Sequence, residues 1–352
     1  MNSSQLDQNI STQKIDQCPE CGSSGKIYIT DCQDLICKIP GSWTFYQCSS
    51  CQSLWLNPSP TPDSIPKLYT NAYHFTHGTP SSPLTEPTGL IPKVKFAIKL
   101  GIWMQAFGYQ QLERHTSIPH FIRLGRIISF LPGQRQRAGY SIRFLHNRNH
   151  DQHRLLEVGT GNGSFLWLMH HLGWEVEGLE PDPLAAKSAQ ETGLTIIPQT
   201  VEAANLSRSH YDAIVLHHVL EHLPDHQSVV KKLVSSLKPG GVLVSISPNP
   251  TGIISKVFKE SWYALDAPRH LSLPSPDGYR KLFQNENVSV KVHTTMQIIF
   301  WMCRESLSIQ KTGQVSSYNG SLLPQLSVLL GSLLSVFNPY LGEEVICVAT
   351  KN

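Results

Sequence analysis

Gly159, Gly161 and Gly163 stand at alternate positions between an apolar run that reads as a buried strand, Leu155 to Val158, and a helical stretch that opens at Ser164. Glycine accepts backbone angles that other residues avoid, and a helix N-terminus offers unpaired N–H groups, so this turn can bring peptide nitrogens against a ligand. The spacing narrows the ligand. A dinucleotide fingerprint, G-x-G-x-x-G, would need glycine at 164, where this chain has Ser164 and reads G-x-G-x-G instead. Glu157 lies inside the strand, and Glu180 ends the next apolar run, seventeen residues beyond Gly163. A carboxylate at the carboxyl end of that strand can accept hydrogen bonds from both hydroxyls of a ribose. The competing role, a helix cap, suits Asp182 better, because Pro183 would then be the first helical residue.

A second constellation lies near the N-terminus. Six of the eight cysteines fall within the first 51 residues, and four form two C-x-x-C pairs, Cys18-Pro19-Glu20-Cys21 and Cys48-Ser49-Ser50-Cys51. Paired knuckles supply four thiolates for a tetrahedral zinc with no open position, which makes the metal structural rather than catalytic. Disulfides are the alternative, but in a reducing compartment they would not persist. Cys32 and Cys37 lie between the pairs at the wrong spacing for a third knuckle and are expected in the intervening loop, where either could substitute as a ligand.

The third group is rich in histidine. His217, His218 and His222 with Glu221 follow the apolar run Ala213–Leu216, and Trp262-Tyr263-Ala264-Leu265-Asp266-Ala267-Pro268-Arg269-His270-Leu271 gathers an acid, a guanidinium and an imidazole. Arg269 can hold a phosphate or carboxylate in two-point fashion, and His270 is of the type best suited to take a proton near neutral pH. Each also has a bland reading: Glu221 and His222 can simply start a helix, and His270 can cap the next one.

Alternating strands and helices must position these groups. From His153 onward, strands are expected near Arg154–Val158, Trp174–Leu179, Thr195–Ile197, Ala213–Leu216, Val242–Ile246, Val288–Val292 and Val345–Thr350, with helices in the gaps, the pattern of a parallel sheet covered on both faces. Prolines at 58, 60 and 62 end the cysteine module near residue 60. A short helix is expected at Ile65–Tyr73 and a loop over Ser81–Pro92. Short helices are expected over Lys93–Phe130, broken at Gly101, Gly108 and Pro119. The apolar, uncharged stretch Leu322–Leu341 reads as a packed helix between the last two strands. These boundaries divide the chain into residues 1–60, a basic helical connector over 61–150, and a catalytic domain over 151–352.

The order of acidic strand, glycine turn and Glu180, together with the Tyr211-Asp212 strand ending in Glu221-His222-Leu223 and the Lys238-Pro239-Gly240-Gly241 turn, resembles class I S-adenosylmethionine-dependent methyltransferases. The front end, Cys48-x-x-Cys51 followed by Leu56-Asn57-Pro58-Ser59-Pro60, is similar to bacterial zinc-ribbon methyltransferases associated with sugars and surface polysaccharides. The resemblance implies an α/β fold with a seven-stranded Rossmann-like methyltransferase sheet and a small N-terminal zinc ribbon. It implies that Glu157, Gly159, Gly161, Gly163, Glu180, Glu202 and His217 hold S-adenosylmethionine, that Cys18, Cys21, Cys48 and Cys51 hold Zn2+, that His270 or His222 acts as base, and that Arg269 and Trp262 meet the acceptor. Glu157 departs from the family, where aspartate is commoner, and the long C-terminal domain of the sugar C-methyltransferases is missing.

Composition sets the remaining limits. The net charge is only +3, yet between Glu86 and Arg154 eleven Lys or Arg face three acids, a local +8. That excess suits a solvated face, an anionic acceptor such as a nucleotide sugar, or peripheral contact with a membrane. Residues 1–17 carry no apolar signal region, so a cytoplasmic protein is expected. Nucleic acid is the weaker partner, since the Pro-Pro-aromatic loop of amino-methyltransferases is absent after the fourth strand. An RNA methyltransferase, or a zinc-ribbon binding module on an inactive fold, stands as the alternative to a small-molecule enzyme.

Overall fold

The computed structural model describes residues 10–69, 84–131, 133–147, 153–315 and 340–352. Its strands are β1 (Thr12–Gln13), β2 (Gly25–Cys32), β3 (Trp43–Cys48), β4 (Leu54–Leu56), β5 (Ser59–Pro60), β6 (Arg154–Val158), β7 (Glu175–Leu179), β8 (Thr195–Ile197), β9 (Tyr211–His217), β10 (Leu237–Pro248), β11 (Ser272–Leu273), β12 (Val288–Thr295) and β13 (Glu344–Lys351). The helices are α1 (Leu90–Phe107), α2 (His120–Ile128), α3 (Gln134–Tyr140), α4 (Ser164–His171), α5 (Pro183–Gln190), α6 (His226–Ser236), α7 (Ile253–Phe258), α8 (Pro276–Leu282) and α9 (Ile299–Thr312).

Seven strands form one mixed sheet in the order β12-β13-β10-β9-β6-β7-β8. The pairs β6–β7 and β7–β8 are parallel, and β12–β13 is antiparallel. With its helices this is a Rossmann-like α/β arrangement. Each of the seven strands expected from the sequence is present. β10 starts five residues earlier than expected, at Leu237, because the Lys238–Gly241 turn lies within the strand rather than before it.

The chain divides into two compact units that cut across the expected boundaries at 60 and 150. One comprises residues 76–215 and 235–244; the other comprises 1–75, 216–234 and 245–352. In the first, α1 and α2 lie against one another where Gly101 meets the backbone of Ile122 and Gly125, and Gly125 meets the backbone of Ile98. Any Cβ at either position would strike main chain. Gly101 was expected to break the helix; instead, α1 runs through it, the lost side chain being what lets the two backbones approach. The loop expected up to Pro92 ends earlier, since α1 begins at Leu90 and places Pro92 in its first turn, where a missing N–H costs nothing.

In the second unit the cysteine module is not a separate bead. β2, β3 and β4 form a four-stranded sheet with β11, in the order β11-β4-β3-β2, so the last strand comes from residues 272–273. One face of that sheet is apolar. Phe45, Leu54 and Leu56 pack in one core with Trp262, Leu271 and Met302, and each such side chain contributes about 1.5–3 kcal/mol by leaving water. Burial of this face is the physical reason that a boundary at residue 60 does not hold. Pro62–Leu68 forms a 3-10 turn where a helix over Ile65–Tyr73 was expected, with residues 70–73 outside the described residues. Most of the apolar stretch Leu322–Leu341, residues 322–339, also lies outside them. Among the described residues no helix is long and apolar enough to cross a membrane.

Candidate active site

In the first unit the glycine turn is built by local backbone geometry. Gly159, Gly161 and Gly163 take φ of 73°, 53° and 79°, the left-handed region that a side chain resists. At Gly163, the cap of α4, a Cβ would also collide with Leu194 and Ala189. β7 then delivers Glu180, which is buried. Its Oε2 accepts the Gly161 N–H at 2.7 Å, and Oε1 accepts the Asp182 N–H at 2.9 Å. A carboxylate offers about four lone-pair sites, enough to hold loop backbone and a ligand hydroxyl together. Asp182 caps α5 through the Leu184 N–H at 2.9 Å, with Pro183 first in the helix, as the spacing implied.

Glu157 is buried in β6, and its Oε2 has no hydrogen-bond partner. Burial pushes its carboxyl up to about 8, against the pull of Arg143, and the charge of Glu180 adds to the rise. An orphaned buried acceptor beside a glycine turn, with a second carboxylate fixed on that turn, is what a polar, positively charged nucleoside ligand needs. These residues fit S-adenosylmethionine. Glu202 is exposed, in the turn at 201–203.

In the second unit the histidines converge. His218, at φ 56° just past β9, lies 3.1 Å by Nδ1 from Glu221 Oε1 and 2.9 Å by Nε2 from Glu344 Oε1. Burial disfavours its charge, but the two carboxylates prevail and raise it to about 10, so it is an imidazolium at neutral pH. Glu221 answers in kind: burial alone would raise it, and His218 brings it down to about 2. His217 is half-buried beside His218, ring centroids 4.5 Å apart.

His222 and His270 meet edge to face with centroids 4.7 Å apart. Burial, reinforced by the nearby His270, lowers His222 to about 4 and keeps it neutral. His270 Nδ1 lies 2.7 Å from the Ala264 carbonyl, and His222 Nδ1 lies 3.1 Å from the Arg269 carbonyl. A carbonyl only accepts, so both Nδ1 atoms carry a hydrogen, and in the neutral form of either ring the lone pair is at Nε2. This tautomer is that of a general base.

Arg269 was expected to hold an anionic acceptor, and the structure corrects this. Its side chain is fully buried, with Nη1 and Nη2 each 2.8 Å from Asp34, and Nε and Nη2 bonded to Asp266. Two carboxylates pair with a guanidinium that has no access to solvent, and they hold its pKa above the usual range despite burial. Asp34 was missed because nothing local marks it: it stands 235 residues away. Trp262 is buried and lines a cavity of about 250 Å3 with Asp31, Glu260, Tyr263 and Asp266, an acidic lining rather than a basic one.

The four cysteines come together as the spacing implied. Sγ separations are 3.6 Å for Cys18–Cys51, 3.4 Å for Cys21–Cys48 and 3.6 Å for Cys21–Cys51, and one ligand atom from each lies within 4.8 Å of the others. Thiolates about 2.3 Å from a tetrahedral zinc would stand about 3.8 Å apart, close to these values and far from the 2.05 Å of a disulfide. Gly22 and Gln52, each one residue past a knuckle, both take positive φ, and their N–H groups return to the Cys18 and Cys48 carbonyls at 2.8 and 3.2 Å. The site fits zinc. Cys32 ends β2 and Cys37 lies in the following loop, both as free thiols.

Residues 124–291 match the family model described as a methyltransferase domain. The ubiquinone biosynthesis O-methyltransferase of Vibrio cholerae is 41% identical over 95 residues, and that of Pectobacterium atrosepticum is 39% identical over 95 residues. The match takes in 25% of this chain and 39% of either relative, so the chain spans about two fifths of the length of the relatives it matches. Among solved structures, a SAM-dependent methyltransferase from Archaeoglobus fulgidus is 21% identical with a TM-score of 0.40, covering 56% of this chain and 86% of its own. Phosphoethanolamine N-methyltransferase 2 of Haemonchus contortus, in complex with S-adenosyl-L-methionine, is 16% identical with a TM-score of 0.43, covering 61% and 52%.

Proposed function

We propose that this chain transfers a methyl group from S-adenosylmethionine to an oxygen of a small-molecule acceptor, with His270 removing the acceptor's proton. The observation that carries the reading is the glycine turn tied to Glu180, with the orphaned acceptor of Glu157 buried beneath it. Gly159, Gly161 and Gly163 would admit the methionyl part, and Glu180 would hold the ribose. The cofactor, when bound, supplies a methyl on a positively charged sulfur that is already activated for in-line displacement. What remains for the protein is alignment and proton removal.

His270 suits the second task because Ala264 fixes its tautomer and leaves Nε2 as the acceptor. His222, held neutral by burial and by His270, adds no competing positive charge beside it. The matched region in the relatives, both named as O-methyltransferases, supports oxygen as the acceptor atom. With Arg269 already paired, no guanidinium of this loop supports an anionic nucleotide sugar over a neutral hydroxylated acceptor such as a sugar or phenol. Zn2+ at the four cysteines is assigned a structural role, since four protein thiolates leave no open position.

Calorimetric titration with S-adenosylhomocysteine tests the foundation: saturable binding is expected, and none at millimolar ligand would overturn the reading. Labelled cofactor with a panel of phenols, nucleotide sugars, lipid-linked sugars and RNA would then identify the acceptor, with label expected on a small-molecule hydroxyl.

A further inference from the structure

The residues on both sides of His270 are gripped by the cysteine ribbon. On one side, Arg269 is fully buried and its guanidinium makes a two-point pair with Asp34, both contacts at 2.8 Å. Asp34 in turn is fastened to the ribbon. It lies in the loop between β2 and β3, where Oδ1 accepts the Ile36 and Cys37 N–H groups at 2.9 Å and Oδ2 accepts that of Ile39 at 3.1 Å. On the other side, Ser272 Oγ donates to Glu20 Oε1 at 2.6 Å, and Glu20 is the fully buried residue inside the first C-x-x-C pair. Main chain completes the hold: the Leu56 N–H donates to the Leu271 carbonyl at 2.9 Å, and Ser272 pairs with Trp55 across β11 and β4.

These contacts are more than a ribbon needs for its own fold. A knuckle can be closed by its own turns, and the apolar face of β2–β4 is covered without any charged pair. Burying Asp34 and Arg269 together is favourable only when geometry is fixed, and what it fixes is the backbone on which His270 sits. The side chain of His270 is then tied by Nδ1 to the Ala264 carbonyl, in the same loop, and meets the His222 ring edge to face.

We propose that the ribbon is a brace for the base: Asp34 and Glu20 are positioning residues that act through Arg269 and Ser272 to set where the His270 imidazole stands. This rests on the reading of His270 as base. The four cysteines then contribute to proton removal, through the loop they hold, and not to cofactor binding.

The test uses the full-length protein with histidines labelled in 15N, and compares Asp34→Asn and Ser272→Ala with the parent and with His270→Gln. Three quantities are read: the His270 ring nitrogen signals, the affinity for S-adenosylhomocysteine, and kcat. Ser272→Ala, which removes one hydroxyl, should lower kcat by about tenfold, and Asp34→Asn by about a hundredfold, in keeping with the cost of small misplacements of a reacting group. Affinity for S-adenosylhomocysteine should stay within about twofold, the scale of an unperturbed site. The His270 signals should shift or broaden in both variants, and in the parent after zinc is stripped by a chelator. Unchanged His270 signals in Ser272→Ala and in the stripped protein overturn the brace, whatever Asp34→Asn does to folding. Full activity in His270→Gln overturns instead the assignment of the base, while the ring signals still decide whether the ribbon holds the loop.

Discussion

The glycine turn and the histidine loop are both built around buried ionisable groups, but they are assembled in opposite ways. Glu157, Gly161, Glu180 and Asp182 come from one stretch of 26 residues, and the bond that joins turn to acid spans 19 positions. The histidine loop draws on Glu20, Asp34, Glu221, His270 and Glu344, and its main ion pair spans 235 positions. A site made locally declares its chemistry in the spacing of its residues. A site made from distant segments conceals which charges are already compensated. Arg269 shows the difference: by type it is an anion holder, and by environment it is a structural ion.

The largest effect that would sharpen this contrast is on the base. His270→Gln should lower kcat by about 10^2–10^4, the usual contribution of a general base, with S-adenosylhomocysteine affinity unchanged. Activity equal to the parent would remove the chemical distinction between the two regions. Next comes Arg269→Met, which strands Asp34 and Asp266 without their partner. Denaturant unfolding should report a loss of about 3–5 kcal/mol, the cost of breaking a buried pair. A raised KM with unaltered stability would instead restore Arg269 as an acceptor ligand.

Smaller is the change in the glycine turn. Glu180→Gln should weaken S-adenosylhomocysteine binding by about tenfold to a hundredfold, since hydrogen bonds to a charged group are worth about 1.5–3 kcal/mol. No change in a calorimetric titration would argue that Glu180 serves the turn alone.

Stability against pH is where the two regions should separate. Glu157 has its carboxyl pushed up to about 8 from an ordinary 4.5, so its neutral form contributes stability fully present below 4.5 and lost as pH rises through 8. His218, raised to about 10 from 6.5, contributes stability fully present below 6.5 and lost as pH rises through 10. Thermal stability should therefore already be falling at pH 6, fall most steeply between 6.5 and 8 where both windows overlap, and level off above 10. Glu157→Gln should remove the part of the decline below 6.5 and His218→Gln the part above 8; a decline that both variants leave intact would contradict these assignments.

Much of the fold was legible in the chain. The bounds of β6 and β8 are those expected from the sequence, since Leu155, Leu156 and Val158 in β6 and Ile196 and Ile197 in β8 make the short apolar runs that a parallel strand between two covered faces shows. The two C-x-x-C pairs were equally plain, since four thiols at that spacing serve few other purposes. Helix α1 was misjudged at Gly101, where the signal for a break and the signal for close helix packing are the same residue.

By itself the sequence determined seven strands, a glycine turn followed by an acid at the end of β7, and two C-x-x-C pairs, because strand periodicity, turn conformation and knuckle spacing depend on neighbours in the chain. Only the tertiary structure decided that the ribbon shares its sheet with β11, that Asp34 claims Arg269, and that His222 is neutral while His218 is charged. Those outcomes depend on burial and on which distant carboxylate arrives beside a given nitrogen, and neither is written in local order.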